Sequence, residues 1–341
     1  MKVTVIGNGV LSLSVAAQVA KNGDETTYVD LSRKAASDEE NYKVNVVGAE
    51  QYCAVINKVT KNFDSVEKAE VVIIATTASQ HQKLFESIRP FLRDGQTVVF
   101  FPACFGAMNF LKVIQEMDLK ITVCEAVSFL YVCSQQDAST IYVQAIKSKM
   151  KMAVTPEEKA EEAIYSLGNW FKGLIPAKNV LETSLDNMNM TLHPLPVLLN
   201  LGAVEANEQD FYHYTQGVSP SVGKLMEKTD EERMNIGKAL GLNLTSAYEQ
   251  LVEYYGERKL PSMTEYISSE KGPYGDVKGF GLGSRYIVED IPYLLVAAST
   301  IAKCCCVETP VMDLTIQLAS AIMGTDYMQT GYRFTDLSNV I

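Results

Sequence analysis

The chain has three histidines, His81, His193 and His213. Imidazole is the side chain best suited to exchange a proton near neutral pH. His193 stands directly before Pro194, after a polar run containing Asn187 and Asn189, and ahead of a leucine-rich stretch at residues 195–199. A histidine at the mouth of a buried helix, close to a crevice, can act as general acid or base. An aspartate on its other ring nitrogen would complete a dyad. His213 lies in the aromatic cluster Phe211-Tyr212-His213-Tyr214, which suits packing or the lining of a substrate pocket. His81 opens a predicted surface helix after Thr76-Thr77 and reads as structural.

A second constellation sits at the chain start. Gly7-Asn8-Gly9-Val10-Leu11-Ser12 follows a β-branched run and precedes a helical pattern. This is a GxGxxG fingerprint with serine in the third glycine position. Gly7 permits the tight turn, Gly9 lets the backbone approach a pyrophosphate, and Ser12 is small enough for helix and strand to pack. The helix N-terminus offers N–H groups and a positive dipole end to phosphates. Asp30 ends the next predicted strand. Its carboxylate can accept both ribose hydroxyls of NAD and would repel the 2′-phosphate of NADP. NAD(H) is therefore the expected cofactor, with NADP(H) possible because Arg33 and Lys34 follow at once.

Both constellations need a scaffold. Strands are predicted at 2–6, 26–29, 71–75, 97–101, 121–125, 141–146 and 150–154, with helices at 13–21, 81–91 and 107–117 between them. The alternation implies a doubly wound parallel sheet, with ligands at the C-terminal strand ends. That places Thr76, Thr77 and Pro102 along the cofactor crevice. Beyond Thr155-Pro156 strands become scarce. Helices are predicted at 159–171, 198–205, 231–240, 244–255, 292–306 and 311–323. The expected class is α/β plus all-α: a Rossmann dinucleotide-binding domain at 1–154 and a helical substrate domain at 155–341.

Composition narrows the function. Lys plus Arg number 30 and Asp plus Glu 41, a net charge of −11. Such an acidic chain is poorly suited to a phosphate backbone, so no nucleic-acid partner is expected. Hydrophobic residues make up 47%, enough for a packed core. No uncharged apolar run is long enough to span a membrane, so no membrane partner is expected. The glycine-broken start reads as strand, turn and helix rather than a signal peptide, which implies a cytoplasmic protein. The seven cysteines lack CxxC spacing, and Cys304-Cys305-Cys306 cannot all serve one zinc site. They are expected as small buried thiols, the triple run included, with no metal. Lys224 and Lys228 read as a solvated helix face.

The segment Asn187 to Pro194 and the segment Arg285-Tyr286-Ile287-Val288-Glu289-Asp290-Ile291-Pro292 resemble the marks of the opine dehydrogenase family, which includes octopine and nopaline dehydrogenases. The stretch from Pro90 to Val99 and the ending from Thr309-Pro310 to Tyr327 are similar as well, so the resemblance spans nearly the whole chain. It implies reductive condensation of an amino acid with a 2-oxo acid, reversibly, by hydride transfer from NAD(P)H to an imine. It implies His193 as general acid/base, Asp290 as the carboxylate that holds it, and Arg285 as a partner of a substrate carboxylate. Asn189 or Asn187 would add a polar contact. Amino acid and 2-oxo acid would be the partners, and a homodimer is compatible with the reading. Pro102-Ala103 and Cys133-Ser134-Gln135 depart from the family, which often has glycine and arginine there. Two alternatives stay open. One is a reductase similar to ketopantoate reductase, although no lysine lies between Thr183 and Asn200. The other is a non-enzymatic dinucleotide sensor, which would have no use for a dyad.

Overall fold

The computed structural model describes residues 1–33, 37–206, 210–256, 260–270, 272 and 274–337. Lys34 lies outside them. The described chain forms two compact units, Met1–Thr183 and Ser184–Ile341.

The first unit holds one 11-stranded sheet. Its strands are β1 Lys2–Gly7, β2 Glu25–Asp30, β3 Glu39–Gly48, β4 Tyr52–Thr60, β5 Val71–Ala75, β6 Thr97–Phe100, β7 Thr122–Ala126, β8 Tyr131–Gln135, β9 Thr140–Ile146, β10 Met150–Thr155 and β11 Leu174–Pro176. The order is β11-β10-β7-β6-β5-β1-β2-β4-β3-β9-β8. From β7 to β4 every pairing is parallel, which is the doubly wound centre read from the sequence. β5 is buried at every residue, as a strand covered on both faces must be. Helices α1 Val10–Ala20, α2 Ser65–Lys68, α3 His81–Ile88, α4 Gly106–Glu116 and α5 Ala160–Leu167 complete the unit, and α6 Val180–Leu185 crosses its boundary.

The margins of the sheet differ from expectation. β3 and β4 form an antiparallel hairpin, β9 runs parallel to β3, and β8 is antiparallel to β9. Thus β9 lies on the far side of the sheet from β10, which pairs antiparallel with β7. The hairpin alternates buried Val44, Val46, Ala54 and Ile56 with exposed neighbours, the signature of a strand with one solvated face. A search for continuous apolar runs passes over such strands.

The division between units falls at 183/184 rather than 154/155 because residues 156–183 are committed to the sheet. β11 pairs with β10. Trp170 is buried, its Nε1 donates to Asp24 Oδ2 at 2.7 Å, and its carbonyl accepts from Gln18 Nε2 at 3.0 Å. Thr183 Oγ1 donates to Glu125 Oε1 at 2.9 Å, and the other oxygen of this fully buried carboxylate accepts from the Ala107 N–H near the start of α4.

The second unit is helical: α7 Asn189–Leu192, α8 Pro194–Leu199, α9 Leu201–Ala206, α10 Pro220–Ala239, α11 Ala247–Tyr255, α12 Met263–Ser268, α13 Arg285–Val288, a π-helical turn Ile291–Leu295, α14 Val296–Cys304, α15 Pro310–Met323 and α16 Tyr327–Thr330. The helix expected at 198–205 is broken at Asn200, whose amide donates to the Pro196 and Gly217 carbonyls. The helix expected at 231–240 is the end of the longer α10, started by the Ser219 cap and Pro220. The helix expected at 292–306 opens with the π turn, where Pro292 has no N–H to give. No helix among the described residues is long and apolar enough to cross a membrane.

Two burial expectations are corrected. Cys304 and Cys306 are exposed and Cys305 is half-buried, because the chain leaves α14 there and turns through a positive φ at Cys306. Cys53 is exposed and Cys133 half-buried as well, while Cys104 and Cys124 are buried. His81 begins a helix as expected but is buried. Its ring stacks on Phe85 and meets Phe100 edge-on, and a Cβ added to Gly106 would come within 2.5 Å of it.

Arg233 on α10 is fully buried and joins three segments. It bonds Asp230, Asp186, the Leu185 carbonyl and the Thr245 carbonyl. Asp186 also accepts from the Thr245 N–H, and Asp230 from the Ala247 N–H that starts α11. Removing one partner of a buried ion network leaves charge without compensation. Arg233→Ala should therefore lose about 3–5 kcal/mol of unfolding free energy in urea titration; a loss below about 1 kcal/mol would show the network to be dispensable.

Candidate active site

In the first unit, β1 delivers the chain into the glycine turn. A Cβ at Gly7 would lie 2.3 Å from both the Ala75 carbonyl oxygen and Ser12 Cβ, so only glycine fits. Gly9 has φ 95°, and a Cβ there would meet nothing within 4 Å, so open space lies over the turn. Ser12 does more than stay small. It is fully buried, its Oγ donates to the Gly9 carbonyl at 2.9 Å, and it lies 2.8 Å from the Tyr28 hydroxyl on β2. Asn8 Oδ1 accepts from Thr76 Oγ1 at 2.9 Å, fastening the turn to the end of β5. Val10 and Leu11 are half-buried in the first turn of α1, which carries no acidic residue. Thr77 is half-buried and its Oγ1 accepts from Ser79 Oγ; Pro102 is half-buried just beyond β6.

Asp30 stands at the end of β2, half-buried. One oxygen, Oδ1, accepts from the Ser32 N–H at 2.9 Å and the Ser32 hydroxyl at 2.6 Å. It borders two cavities of about 380 Å³. One is shared with Gly9, Ser32 and Arg33, the other with Leu31, Lys61 and Lys83. Arg33 is ion-paired with Glu39 at 3.0 Å. A positive-φ glycine under open space, a helix start without acids and a carboxylate at the next strand end fit a dinucleotide: Gly7 to Ser12 would hold its pyrophosphate and Asp30 its ribose.

In the second unit, His193 links α7 to α8, and its N–H donates to the Asn189 carbonyl at 3.0 Å. Asn187 is buried, and its Oδ1 accepts from the Asn189 N–H, so this side chain helps to start α7. Asn189 itself is half-buried. Asp290 arrives from 97 residues away, and its Oδ2 lies 2.6 Å from His193 Nδ1. His193 is 5% exposed and Asp290 1%. Asp290 Oδ1 is buried and accepts no hydrogen bond among the described residues. The carboxylate fixes the tautomer: Nδ1–H donates to it and Nε2 remains for proton exchange. Burial pushes the His193 pKa down, the Asp290 charge and hydrogen bond oppose this, and Arg285 adds to the lowering.

Arg285 and Tyr286 begin α13. Arg285 is exposed, with its guanidinium carbon 5.4 Å from the Tyr286 ring centre. Tyr286 was not singled out by the sequence, yet it stacks on His193 with ring centres 3.7 Å apart and planes 8° apart. Its place just after Arg285 was the only signal. His213 is buried and approaches Tyr286, Tyr214 and Phe280 with ring centres at 5.0, 4.4 and 5.7 Å. Its Nε2 is buried and finds no protein partner among the described residues. Burial, with the nearby His193, pushes its pKa down to about 3, so it is a neutral polar group in an aromatic wall. The structure thus brings His193, Asp290, Tyr286, Arg285 and His213 together, and separately assembles the loop, Thr76 and Asp30.

Comparison with known proteins follows the same partition. Residues 176–323 match the family described as NAD/NADP octopine/nopaline dehydrogenase, alpha-helical domain, and residues 3–152 match ketopantoate reductase PanE/ApbA. An opine dehydrogenase from Arthrobacter sp. (strain 1C) is 34% identical over 269 residues, covering 78% of this chain and 74% of its own. Among solved structures, a yersinopine dehydrogenase bound to NADP+ superposes with a TM-score of 0.77 at 13% identity, covering 96% of this chain and 92% of its own. An octopine dehydrogenase with NADH and L-arginine gives 0.74 at 18% identity, with the same coverage.

The depressed His213 has a measurable consequence. Its folded pKa of about 3 lies below the ordinary 6.5, so on acidification the unfolded chain takes up the proton first. The stability this provides is complete above about pH 6.5 and is lost as pH falls toward about 3, at roughly 1.4 kcal/mol per pH unit. In urea titrations from pH 7 to 4, His213→Phe should show an acid-side slope shallower by about that amount; an unchanged slope would show that His213 is readily protonated in the folded state.

Proposed function

The chain belongs to the opine dehydrogenase family of NAD(P)-dependent oxidoreductases, and on that basis we propose that it reversibly condenses an amino acid with a 2-oxo acid, using His193 and Asp290 as its acid/base pair. The bond of 2.6 Å between His193 Nδ1 and Asp290 Oδ2 is the observation that carries this reading. When bound, the reduced dinucleotide supplies the hydride that reduces the imine carbon. Protonated His193 gives its Nε2 proton to the oxo oxygen as the amine adds and water leaves. Asp290 stabilises the imidazolium before that transfer and keeps Nδ1–H in place after it. In the opposite direction neutral His193 accepts a proton at Nε2. Arg285 supplies a guanidinium for a substrate carboxylate. The structure of octopine dehydrogenase with L-arginine supports an amino acid as one substrate class.

The dinucleotide is held by Gly7 to Ser12, Thr76, Thr77 and Pro102, with Asp30 favouring NAD(H). The ion pair of Arg33 with Glu39 supports this preference, since it already occupies the described cation that follows Asp30 most closely in sequence. Dissociation constants measured at one ionic strength should be lower for NADH than for NADPH. Asp30→Ser should narrow the gap by about tenfold or more, because it removes a charge at contact distance from the 2′-phosphate; tighter NADPH binding by the unmodified protein would overturn the preference.

The reaction itself is tested by a matrix of amino acids and 2-oxo acids followed by NADH absorbance. With an active pair in hand, His193→Ala should lower kcat by about 10²–10⁴-fold and leave NADH affinity nearly unchanged. Asp290→Asn should be impaired in the same direction, and the double variant should be little worse than His193→Ala alone. Fully multiplicative losses would assign the two residues separate roles.

A further inference from the structure

The contact between His193 and Tyr286 has an unusual form. Two neutral aromatic rings favour offset or edge-on packing over direct face-to-face overlap. Here the ring centres are 3.7 Å apart and the planes nearly parallel. A cation gains from this placement, because the face of a phenol ring is electron-rich. The imidazolium of His193 is such a cation, whereas the neutral ring gains little. The Tyr286 ring is also hemmed in by buried His213, whose ring centre lies 5.0 Å away. Phe280 meets its edge with ring centres 4.6 Å apart. It cannot tilt away without breaking these contacts.

We propose that Tyr286 is a positioning residue of the acid/base pair: its ring face fixes the plane in which His193 meets Asp290 and selectively stabilises the imidazolium. The proposal rests on the acid/base role of His193 given above. Burial favours the neutral imidazole, and two influences oppose it. Asp290 provides one from the edge of the ring and Tyr286 the other from its face.

Among the described residues, titratable groups meet His193 from several elements. Asp290 precedes the π turn, Arg285 and Tyr286 come from α13, and His213 and Tyr214 come from the aromatic segment. The buried charges of α10 are committed elsewhere: Asp230 and Arg233 to each other, Glu232 to the Val311 and Met312 N–H groups. Asp313 of α15 accepts from the Ser299 hydroxyl. Of these groups, Asp290 and Tyr286 favour the proton on His193, Arg285 opposes it, and His213 stays neutral.

The test keeps the ring and changes its electrons. Position 286 is replaced by phenylalanine and then by phenylalanines of increasing ring fluorination, which are nearly isosteric and progressively weaken the attraction of a ring face for a cation. The imidazole resonances of the whole chain without dinucleotide are titrated by NMR, with His193→Ala assigning the signal among three histidines. The His193 midpoint should fall stepwise along the series, by about one pH unit in all. The His81 midpoint should stay in place. For an active substrate pair, the decline of the reductive rate with rising pH should move to lower pH by the same amount, since that direction needs the imidazolium. A midpoint indifferent to fluorination would overturn the proposal, as would a drop confined to the Tyr286→Phe step, which would assign the effect to the hydroxyl. The NMR midpoint reads the stack whether or not His193 donates the proton, and the kinetics of His193→Ala judge that role separately.

Discussion

A carboxylate buried beside a buried imidazole must be held in register by the protein, because neither group can turn to water if the other moves. The bond between Asp290 and His193 imposes this demand on the helical unit, and much of that unit answers it. The π turn after Asp290 sets the carboxylate at the end of a helix that Pro292 prevents from extending backward in the ordinary way. His193 sits between two short helices, with its backbone N–H tied to Asn189 and its ring covered by Tyr286. Arg233 pins Leu185 and Asp186, which begin the His193 segment, to α10. The side chains of the pair are thus held by a surrounding set of buried contacts.

The dinucleotide unit meets a different constraint, set by backbone more than by charge. A turn that approaches a phosphate closely cannot carry side chains where the anion goes. Gly7 is needed because β5 and Ser12 fill its Cβ position, and Gly9 because of its positive φ. The remaining polar groups are used to hold the turn still: Ser12 to Gly9 and Tyr28, Asn8 to Thr76. Asp30 keeps one oxygen occupied by Ser32, which orients the carboxylate. Preorganisation of this kind reduces the ordering cost of binding.

The parallel centre of the sheet was legible because β1, β2, β5, β6 and β7 are compact apolar runs with turn residues between them. The glycine turn and Asp30 were legible because their spacing is local. The hairpin β3–β4 and strands β8 and β11 were not, since half-solvated or very short strands leave weak periodicity. Resemblance to the family picked out His193 and Asp290 as a pair; nothing in their separation of 97 residues signals contact. Tyr286 was passed over because an aromatic residue beside an arginine reads as ordinary packing until its ring is seen over the imidazole.

By itself, the sequence determined the class of fold, the glycine turn and the residue types available for acid/base chemistry, because these depend on neighbours within a few positions. Tertiary structure decided which partners those residues have: which carboxylate meets His193, which ring covers it, that His81 is buried and that Cys304 and Cys306 are exposed. Burial and electrostatic pairing depend on surroundings assembled from distant parts of the chain, and no local pattern encodes them.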